Sequence, residues 1–89
     1  MAGLHPALVL SYSSYTQATG MIIVVPITSS IGLHKIEIPI DNGYSVHRAI
    51  LSDQIKCLDW KKRGGSIICK LPDKYVLTVL SHLKPIIGF

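Results

Sequence analysis

Residues 21–29, MIIVVPITS, constrain the fold more than any other part of this sequence. Val, Ile and Met at this density predict a strand that is buried on both faces. The stretch is too short to cross a bilayer as a helix, and it contains a proline. Because Pro26 has no backbone N–H to donate, we expect regular strand pairing to loosen there. Thr28 and Ser29 follow at the end of this strand, where a rigid element can present hydroxyl groups to a site.

Length and composition predict a single domain spanning residues 1–89. A chain of this size buries only about two-thirds of its unfolded surface. Hydrophobic residues make up 48% of the sequence, and its mean hydropathy is +0.41. We therefore expect part of the apolar surface to meet another subunit. The net charge of +4 suits an anionic partner such as nucleic acid, although many proteins this basic bind none.

The cysteines and histidines do not have the spacing of a metal site. Cys57 and Cys69 fit no zinc-binding pattern, and the histidines share no i,i+3 or i,i+4 spacing. We therefore expect no metal and no cofactor. The first ten residues show no pattern of a secretory signal. The two cysteines are accordingly predicted to be reduced, buried thiols in a cytoplasmic protein that does not enter the membrane.

Hydrophobic periodicity predicts a mainly antiparallel β-barrel or sandwich with one C-terminal helix. The predicted strands comprise residues 5–11, 21–28, 34–40, 46–51, 52–60 and 66–70. Residues 12–20 are predicted to form an exposed loop, and residues 61–65 a basic turn.

The helix is predicted to begin at Pro72 and Asp73, because proline and acidic side chains favour the first turn. Pro85 is predicted to end it. Its apolar stripe at i, i+3, i+4 and i+7 comprises Val76, Val79, Leu80 and Leu83. We expect this stripe to cover an open face of the sheet.

Four different segments, spread along nearly the whole chain, contain recognisable motifs. They read HPALVLS at 5–11, TGMIIVVPITS at 19–29, LSDQIKCLDWKKRG at 51–64 and LPDKYVLTVLSHLKPIIG at 71–88. Together and in this order they resemble the MazF/PemK family of toxin endoribonucleases from bacterial toxin–antitoxin pairs. The resemblance implies an SH3-like barrel, shared with plasmid gyrase-poisoning toxins, that forms a homodimer. It also implies an antitoxin partner whose flexible tail blocks the RNA groove.

The activity that the resemblance implies is sequence-selective, metal-independent cleavage of single-stranded RNA. The ribose 2′-hydroxyl attacks the adjacent phosphorus and gives a cyclic phosphate and a 5′-hydroxyl. This chemistry needs a base, an acid and groups that stabilise charge on the phosphate. In the family, the arginine of an RP dipeptide and the threonine of PITS supply much of this.

Thr28 matches the family's threonine, so its hydroxyl is predicted to hold a phosphate oxygen or steer proton transfer. The alternative is a threonine that bonds to the backbone at a strand end. The position before Pro6 holds His5 in place of the family's arginine. His5 is either a substitute acid–base catalyst or a sign of weakened activity, because a largely neutral imidazole binds phosphate less well than guanidinium.

The remaining candidates for RNA binding come from the matched segments. They are Ser11, Ser29, Gln54, Lys56 and Arg63. A polar side chain on the outer face of a strand, or a solvated cationic turn, is the alternative for each of them. Tyr12 and Tyr15 are further candidates for stacking on unpaired bases. Trp60 is predicted to anchor the core or an interface.

The sequence departs from the family at its beginning. The family's first strand, roughly GDIxxVDF, has no counterpart here, so we expect an N-terminally shortened barrel. The resulting open edge is expected to be covered by a dimer partner, by strand exchange or by another protein. A non-catalytic module of the same fold, which binds RNA, an antitoxin or gyrase, is therefore the alternative function.

Overall fold

A computed structural model describes residues 6–29, 36–44 and 48–88 of the chain, apart from the side chain of Arg48. Five strands and three helices lie in these ranges. In chain order they are β1 (Ala7–Val9), α1 (Ser13–Thr19), β2 (Met21–Thr28), β3 (Glu37–Ile40), β4 (Arg48–Leu51), β5 (Lys56–Asp59), α2 (Trp60–Arg63) and α3 (Asp73–Ile87). None of the helices in these ranges has the length and apolar character needed to span a membrane.

Strand β2 is the centre of an antiparallel sheet, as predicted. The strand order is β1-β2-β4-β3, and β5 also pairs with β2. Every residue of β2 is buried or half-buried, which confirms the predicted burial on both faces. In the described ranges the sheet does not close on itself, because no pairing joins β1 to β3 or to β5.

Pro26 lies where β2 changes its partner. On the side away from β1, residues 21–24 of β2 pair with β5, whereas Ile27 and Thr28 pair with β4. Pro26 pairs only with Ala7 of β1. The ladder on the other side is therefore interrupted at Pro26, as expected for a residue that cannot donate a backbone hydrogen bond.

The core lies between one face of the sheet and helix α3. Sheet residues at its centre include Val25, Ile27 and Ile50, which are at most 7% exposed. Helix α3 contributes Tyr75, Val79 and Leu83, spaced at i, i+4 and i+8. The prediction that α3 covers the sheet is confirmed.

The buried stripe of α3 nevertheless differs from the predicted one. Leu80 is 43% exposed and Val76 is only half-buried, whereas Tyr75 is buried. The buried residues of the helix lie at i, i+4 and i+8, so its buried stripe is narrower than predicted and the neighbouring side chains stay accessible to solvent. The hydroxyl of Tyr75 accepts a hydrogen bond from the backbone N–H of Asp41 (2.9 Å), which fixes the rotation of the helix.

The prediction of an exposed loop at residues 12–20 is wrong, because this segment contains helix α1. Its Ser- and Thr-rich composition is a weak helix former, but the helix ends with a defined cap. Gly20 has a φ of +75° and donates its N–H to Thr16 O, the left-handed closure for which glycine is suited. Thr19 Oγ1 also donates to Tyr15 O (2.8 Å) and accepts from Met21 N–H (3.0 Å). These bonds link the helix directly to β2.

Three further predictions of secondary structure are wrong. Residues 61–65 are not simply a turn, because helix α2 begins at Trp60 after the N-cap Asp59, whose Oδ1 accepts from Lys62 N–H. Residues 66–70 pair with no strand in the described ranges. Helix α3 continues through Pro85 to Ile87, because a proline in the last turn deprives the helix of only one hydrogen bond.

Candidate functional site

Thr28 lies on the face of the sheet opposite the core. It follows the buried Ile27, is half-exposed, and stands opposite Ala49 of β4. Ala49 in turn stands opposite Pro39 of β3. Successive strand residues alternate between faces, so these three side chains share one face. We call it the Thr28 face. By the registers of all five strands it comprises Ala7, Val9, Ile22, Val24, Pro26, Thr28, Glu37, Pro39, Ala49, Leu51, Lys56 and Leu58.

The Thr28 face has an apolar floor with polar groups around it. Val24, Ala49 and Leu51 are buried. Thr28 and Glu37 are half-exposed, and both take part in interactions with other groups of the protein. A polar group beside a buried apolar floor acts in a lower dielectric than bulk water, which strengthens its electrostatic interactions.

Lys56 is on the same face but on β5, which pairs with the end of β2 opposite to Thr28. It pairs with Val24 on β5, four residues before Thr28 along β2, and its side chain is exposed. The rise per residue of a strand puts these two positions about 13 Å apart along β2.

Strand β1 starts at the end of β2 that carries Thr28. The carbonyl oxygen of Pro6 accepts a hydrogen bond from Ile27 N–H (3.1 Å), so the described part of β1 starts at the end of β2 that carries Thr28. His5, the other predicted catalytic residue, lies outside the described residues.

The two candidate serines differ in their surroundings. Ser11 is half-buried, and its Oγ accepts a hydrogen bond from Ile23 N–H (3.0 Å). This bond continues the pairing of β2 beyond the end of β1. Ser29 is exposed and directly follows Thr28. Ser11 therefore has a structural bond that Ser29 does not show, although its hydroxyl keeps a proton to donate.

Gln54 is exposed on the turn between β4 and β5. Its backbone N–H donates to Leu51 O (3.2 Å). Ser52 begins this turn and is fully buried. Its Oγ lies 3.1 Å from Nδ1 of His82, which connects the turn to α3. No sequence pattern predicts this contact, because a single serine and a single histidine thirty residues apart form no motif.

Helix α2 presents the cationic side chains Lys61, Lys62 and Arg63. All are exposed, and none forms an ion pair within the described ranges. The aliphatic part of Lys61 packs against Gly20, where an added Cβ would lie 3.3 Å from its Cδ. Trp60 N–H also donates to Gly20 O (3.0 Å). The cationic helix is thereby attached to the junction of α1 and β2.

The two tyrosines proposed for stacking are placed differently. Tyr12 is 84% exposed at the start of α1. The hydroxyl of Tyr15 lies 3.9 Å from Cys57 Sγ, and its hydrogen bond and charge interaction with that thiol raise the pKa of Tyr15. The prediction of a buried Cys57 is wrong, because β5 has one free edge in the described ranges and leaves the thiol exposed. Cys69 is half-buried.

The described residues contain no group of three His, Cys, Asp or Glu side chains arranged to hold a metal ion. The carboxylates are all described, and they are dispersed. Asp41 forms an ion pair with Lys74 (2.7 Å), Asp59 caps α2 and Asp73 begins α3. Asp53 is exposed on the turn beside Gln54. Glu37 is the carboxylate on the Thr28 face, and sequence reasoning missed it. The alternation of HKIEIPI was its available signal, but only the strand pairing relates it to Thr28.

Comparison with known proteins gives consistent matches. The family of PemK-like, MazF-like toxins of type II toxin–antitoxin systems matches residues 1–87. The endoribonuclease toxin MazF of Escherichia coli K12 is 35% identical over 65 residues, which are 73% of this chain and 58% of that protein. MazF of Escherichia coli O157:H7 matches equally. The chain thus spans 58% of the length of these curated relatives.

Solved structures from Deinococcus radiodurans have the same fold. The crystal structure of MazE-MazF (form I) matches with a TM-score of 0.92 and 28% identity, over 100% of this chain and 87% of that one. The crystal structure of MazF (form I) matches with a TM-score of 0.90 and 28% identity, over 100% and 81%. The predicted fold, mainly β with a C-terminal helix, is confirmed.

Proposed function

The chain belongs to the PemK-like, MazF-like family of toxins of type II toxin–antitoxin systems, and we propose from this that it is an endoribonuclease that cleaves single-stranded RNA. The relatives from Escherichia coli carry the name endoribonuclease. The single observation that supports the proposal most is the half-exposed Thr28, which ends the buried β2 within the PITS segment.

The proposed reaction is attack of a 2′-hydroxyl on the neighbouring phosphorus. The 2′-oxygen–phosphorus bond forms, the bond from phosphorus to O5′ breaks, and a cyclic phosphate and a 5′-hydroxyl result. Thr28 donates its hydroxyl hydrogen to a non-bridging oxygen as negative charge develops there. Lys56, on the same face, holds the next part of the backbone by its charge. No metal is needed for any of these roles.

His5 takes the part of an acid–base group in this proposal. It is covalently next to Pro6, whose carbonyl is bonded to Ile27 beside Thr28. An imidazole can give a proton to the leaving O5′ near neutral pH, but it grips phosphate less well than the arginine of the family. His5→Arg should therefore raise cleavage if phosphate binding limits the rate, and should lower it if proton transfer from His5 limits the rate. Ser81→Arg, on an exposed position of α3, adds the same charge as a control. Unchanged cleavage in His5→Arg would remove His5 from the mechanism.

RNA binding is proposed to extend from the Thr28 face to helix α2. Ser11, Ser29 and Gln54 add hydrogen bonds, and the cations Lys56 and Arg63 neutralise phosphates. Lys56→Ala and Arg63→Ala should each weaken binding of an RNA that carries a 2′-deoxy substitution at its cleavage site. Each should also reduce the slope of log affinity against log salt by about 0.7. Lys70→Ala removes an exposed charge elsewhere and serves as the control.

A homodimer and an antitoxin are the proposed protein partners. Helix α3 carries an exposed apolar stripe beside its buried one, formed by Leu77 (64% exposed), Leu80 (43%) and Ile87 (65%). A second copy can cover this stripe. Leu77→Glu should convert the dimer to a monomer in light scattering after size exclusion, whereas Ser66→Glu, at an exposed position outside the helix, should not. The antitoxin proposal rests on the family, which comprises toxins of toxin–antitoxin systems.

One assay tests the function as a whole. The purified protein is incubated in EDTA with a single-stranded RNA of mixed sequence, and the product ends are analysed. Products that end in a cyclic phosphate, and that fall in yield with Thr28→Val but less with Thr28→Ser, support the proposal. RNA binding without products would support the non-catalytic module instead. Cleavage that requires added metal would contradict the proposed chemistry.

A further inference from the structure

We propose that the free edge of β1 binds an extended, uncharged segment of a protein partner, which adds to the sheet as a further strand; the existence of that partner rests on the function proposed above. Within the described ranges β1 pairs only with β2, so its other edge has no neighbouring strand. Strand addition of this kind joins two proteins through backbone hydrogen bonds.

The backbone of β1 points hydrogen-bonding groups away from the sheet at Ala7 and Val9. Leu10 N–H donates to Ile23 O (2.8 Å), and Pro6 O accepts a bond from β2 (3.1 Å). Backbone groups alternate in direction along a strand, so those of Ala7 and Val9 face the free edge. Neither residue has a backbone hydrogen bond within the described ranges. An extended peptide matches the spacing of these donors and acceptors.

The hydrophobic core is also open along β1. Leu8 and Leu10 pack against the core but are only half-buried. On β3, at the other end of the strand order, Ile38 and Ile40 are each 7% exposed. The core is therefore covered at the β3 end of the sheet and incompletely covered at the β1 end. A strand added to β1 places side chains beside Leu8 and Leu10 and completes this cover.

The other two strands with a free edge carry features that disfavour strand addition. Strand β3 begins with Glu37 and contains Pro39. Strand β5 carries Lys56 and Asp59. Charged side chains and prolines on an edge strand oppose pairing with another chain. Strand β1 contains neither, and no residue from 7 to 20 is charged. Of these three edges, that of β1 is the one open to a partner.

The side chains of β1 define the chemistry of the bound segment. On the Thr28 face an added strand meets Ala7, which is exposed, and Val9, which is 46% exposed. On the core face it meets Leu8 and Leu10. The segment is therefore uncharged and rich in aliphatic and β-branched residues on both faces. RNA does not match this edge, because β1 offers no cation to neutralise phosphates.

The segment belongs to another protein and not to a second copy of β1. Two copies of this three-residue strand would bond through only Ala7 and Val9 of each copy. Specific interfaces bury about 1,200–2,000 Å² in total, which is far more than two such short strands can bury. A segment tethered to a partner that also binds elsewhere needs less area, because tethering raises its effective concentration.

The test uses a short peptide of alternating valine and threonine, acetylated and amidated, which is titrated into isotope-labelled protein for NMR. The amide protons of Ala7 and Val9 should exchange with solvent about tenfold more slowly when the peptide is at about ten times its Kd. The amide of Leu8, which points to β2, should change little. A fully N-methylated peptide of the same sequence should not bind, because it cannot donate hydrogen bonds.

Variants of the edge locate the binding. Val9→Pro removes an outward N–H but no bond between β1 and β2, so it should weaken peptide binding by about tenfold. Val9→Thr keeps both the N–H and a β-branched side chain and should bind like wild type. Cys57→Pro is the matched control. Trp60 N–H donates to Gly20 O, so Cys57 N–H points away from β2 in the same way on β5. Its loss should leave peptide binding unchanged.

The outcomes are independent of the cleavage assay, because the experiment contains no RNA. Binding without protection of Ala7 and Val9, or binding that is equal in Val9→Pro, overturns the inference. Equal binding of the N-methylated peptide also overturns it, and this comparison requires no variant to fold. Protection of both amides in the protein alone, lost on dilution, would assign the edge to a second copy and overturn it too. Each of these results leaves the proposed ribonuclease function to its own test.

Discussion

The Oγ atom of Ser52 lies 3.1 Å from Nδ1 of His82, and this contact joins the end of β4 to helix α3. Ser52 is fully buried, whereas His82 is half-buried. The serine hydroxyl has thus left water, and the imidazole nitrogen replaces the lost hydrogen bond. The contact also supports the turn that presents Gln54.

Removing the imidazole should destabilise the protein. In His82→Ala the Ser52 hydroxyl remains buried without this partner, which should lower the free energy of unfolding by about 1–3 kcal/mol. Urea denaturation measures the change. Ser81→Ala, one position earlier on the exposed side of α3, should change little. The double variant Ser52→Ala/His82→Ala should lose less than the sum of the two single changes, since both disrupt one bond. Additive losses would show that the contact contributes nothing.

Tyr75 is predicted to contribute through its hydroxyl as well as its ring. The ring is 3% exposed and meets Tyr44 edge to face at 6.3 Å, and the hydroxyl accepts from Asp41 N–H. Tyr75→Phe keeps the ring contact and removes the acceptor. We expect a loss of about 0.5–1.5 kcal/mol in the free energy of unfolding, measured in urea. Tyr12→Phe, at an exposed hydroxyl, is the control and should be neutral.

The ion pair between Asp41 and Lys74 should make stability depend on pH at both extremes. The hydrogen bond from Lys74, followed by that from Tyr75, lowers the pKa of Asp41, and the bond to Asp41 raises the pKa of Lys74. The contribution of Asp41 is present above its unfolded pKa of about 3.9 and is lost as pH falls through the lower folded pKa. That of Lys74 is present below about 10.4 and is lost as pH rises through its raised folded pKa.

Asp41→Asn should remove the loss of stability at acid pH that comes from protonation of the Asp41 carboxylate. Both side chains are more than half exposed, so the effect should be small and should shrink in high salt. Thermal unfolding between about pH 2 and pH 6, at low and high salt, measures it. A wild-type acid dependence that Asp41→Asn leaves unaltered would assign it to other carboxyl groups.

Gly65 is predicted to resist substitution because it packs against Trp60. A Cβ at this position would contact Cζ3 of the indole and would lie 2.8 Å from Cη2. Gly65→Ala should therefore displace the ring and cost about 1–3 kcal/mol. Trp60 is the single tryptophan of the chain, so its fluorescence reports the displacement directly. Ser66→Ala, at the exposed neighbour, should leave both the emission and the stability unchanged. An unshifted spectrum in Gly65→Ala would contradict the packing.

Local patterns predicted the elements whose residues agree along the chain. Strand β2 has its predicted bounds because its dense apolar residues fit only a buried strand. Helix α3 follows from its apolar spacing. Helix α1 was missed because its residues have weak helix propensity. The groups that hold it in place lie outside its own sequence pattern: Gly20 caps its end, and Cys57 on β5 contacts Tyr15.

The amino-acid sequence by itself determined the family, the central strand, the C-terminal helix and the position of Thr28 at a strand end. The tertiary structure alone decided which groups meet. The rotation of α3 follows from the bond between Tyr75 and Asp41. The relation of Glu37 to Thr28 follows from the pairing of β3, β4 and β2. Periodicity reports which face of an element is apolar, but strand partners and register result from contacts between residues far apart in the chain.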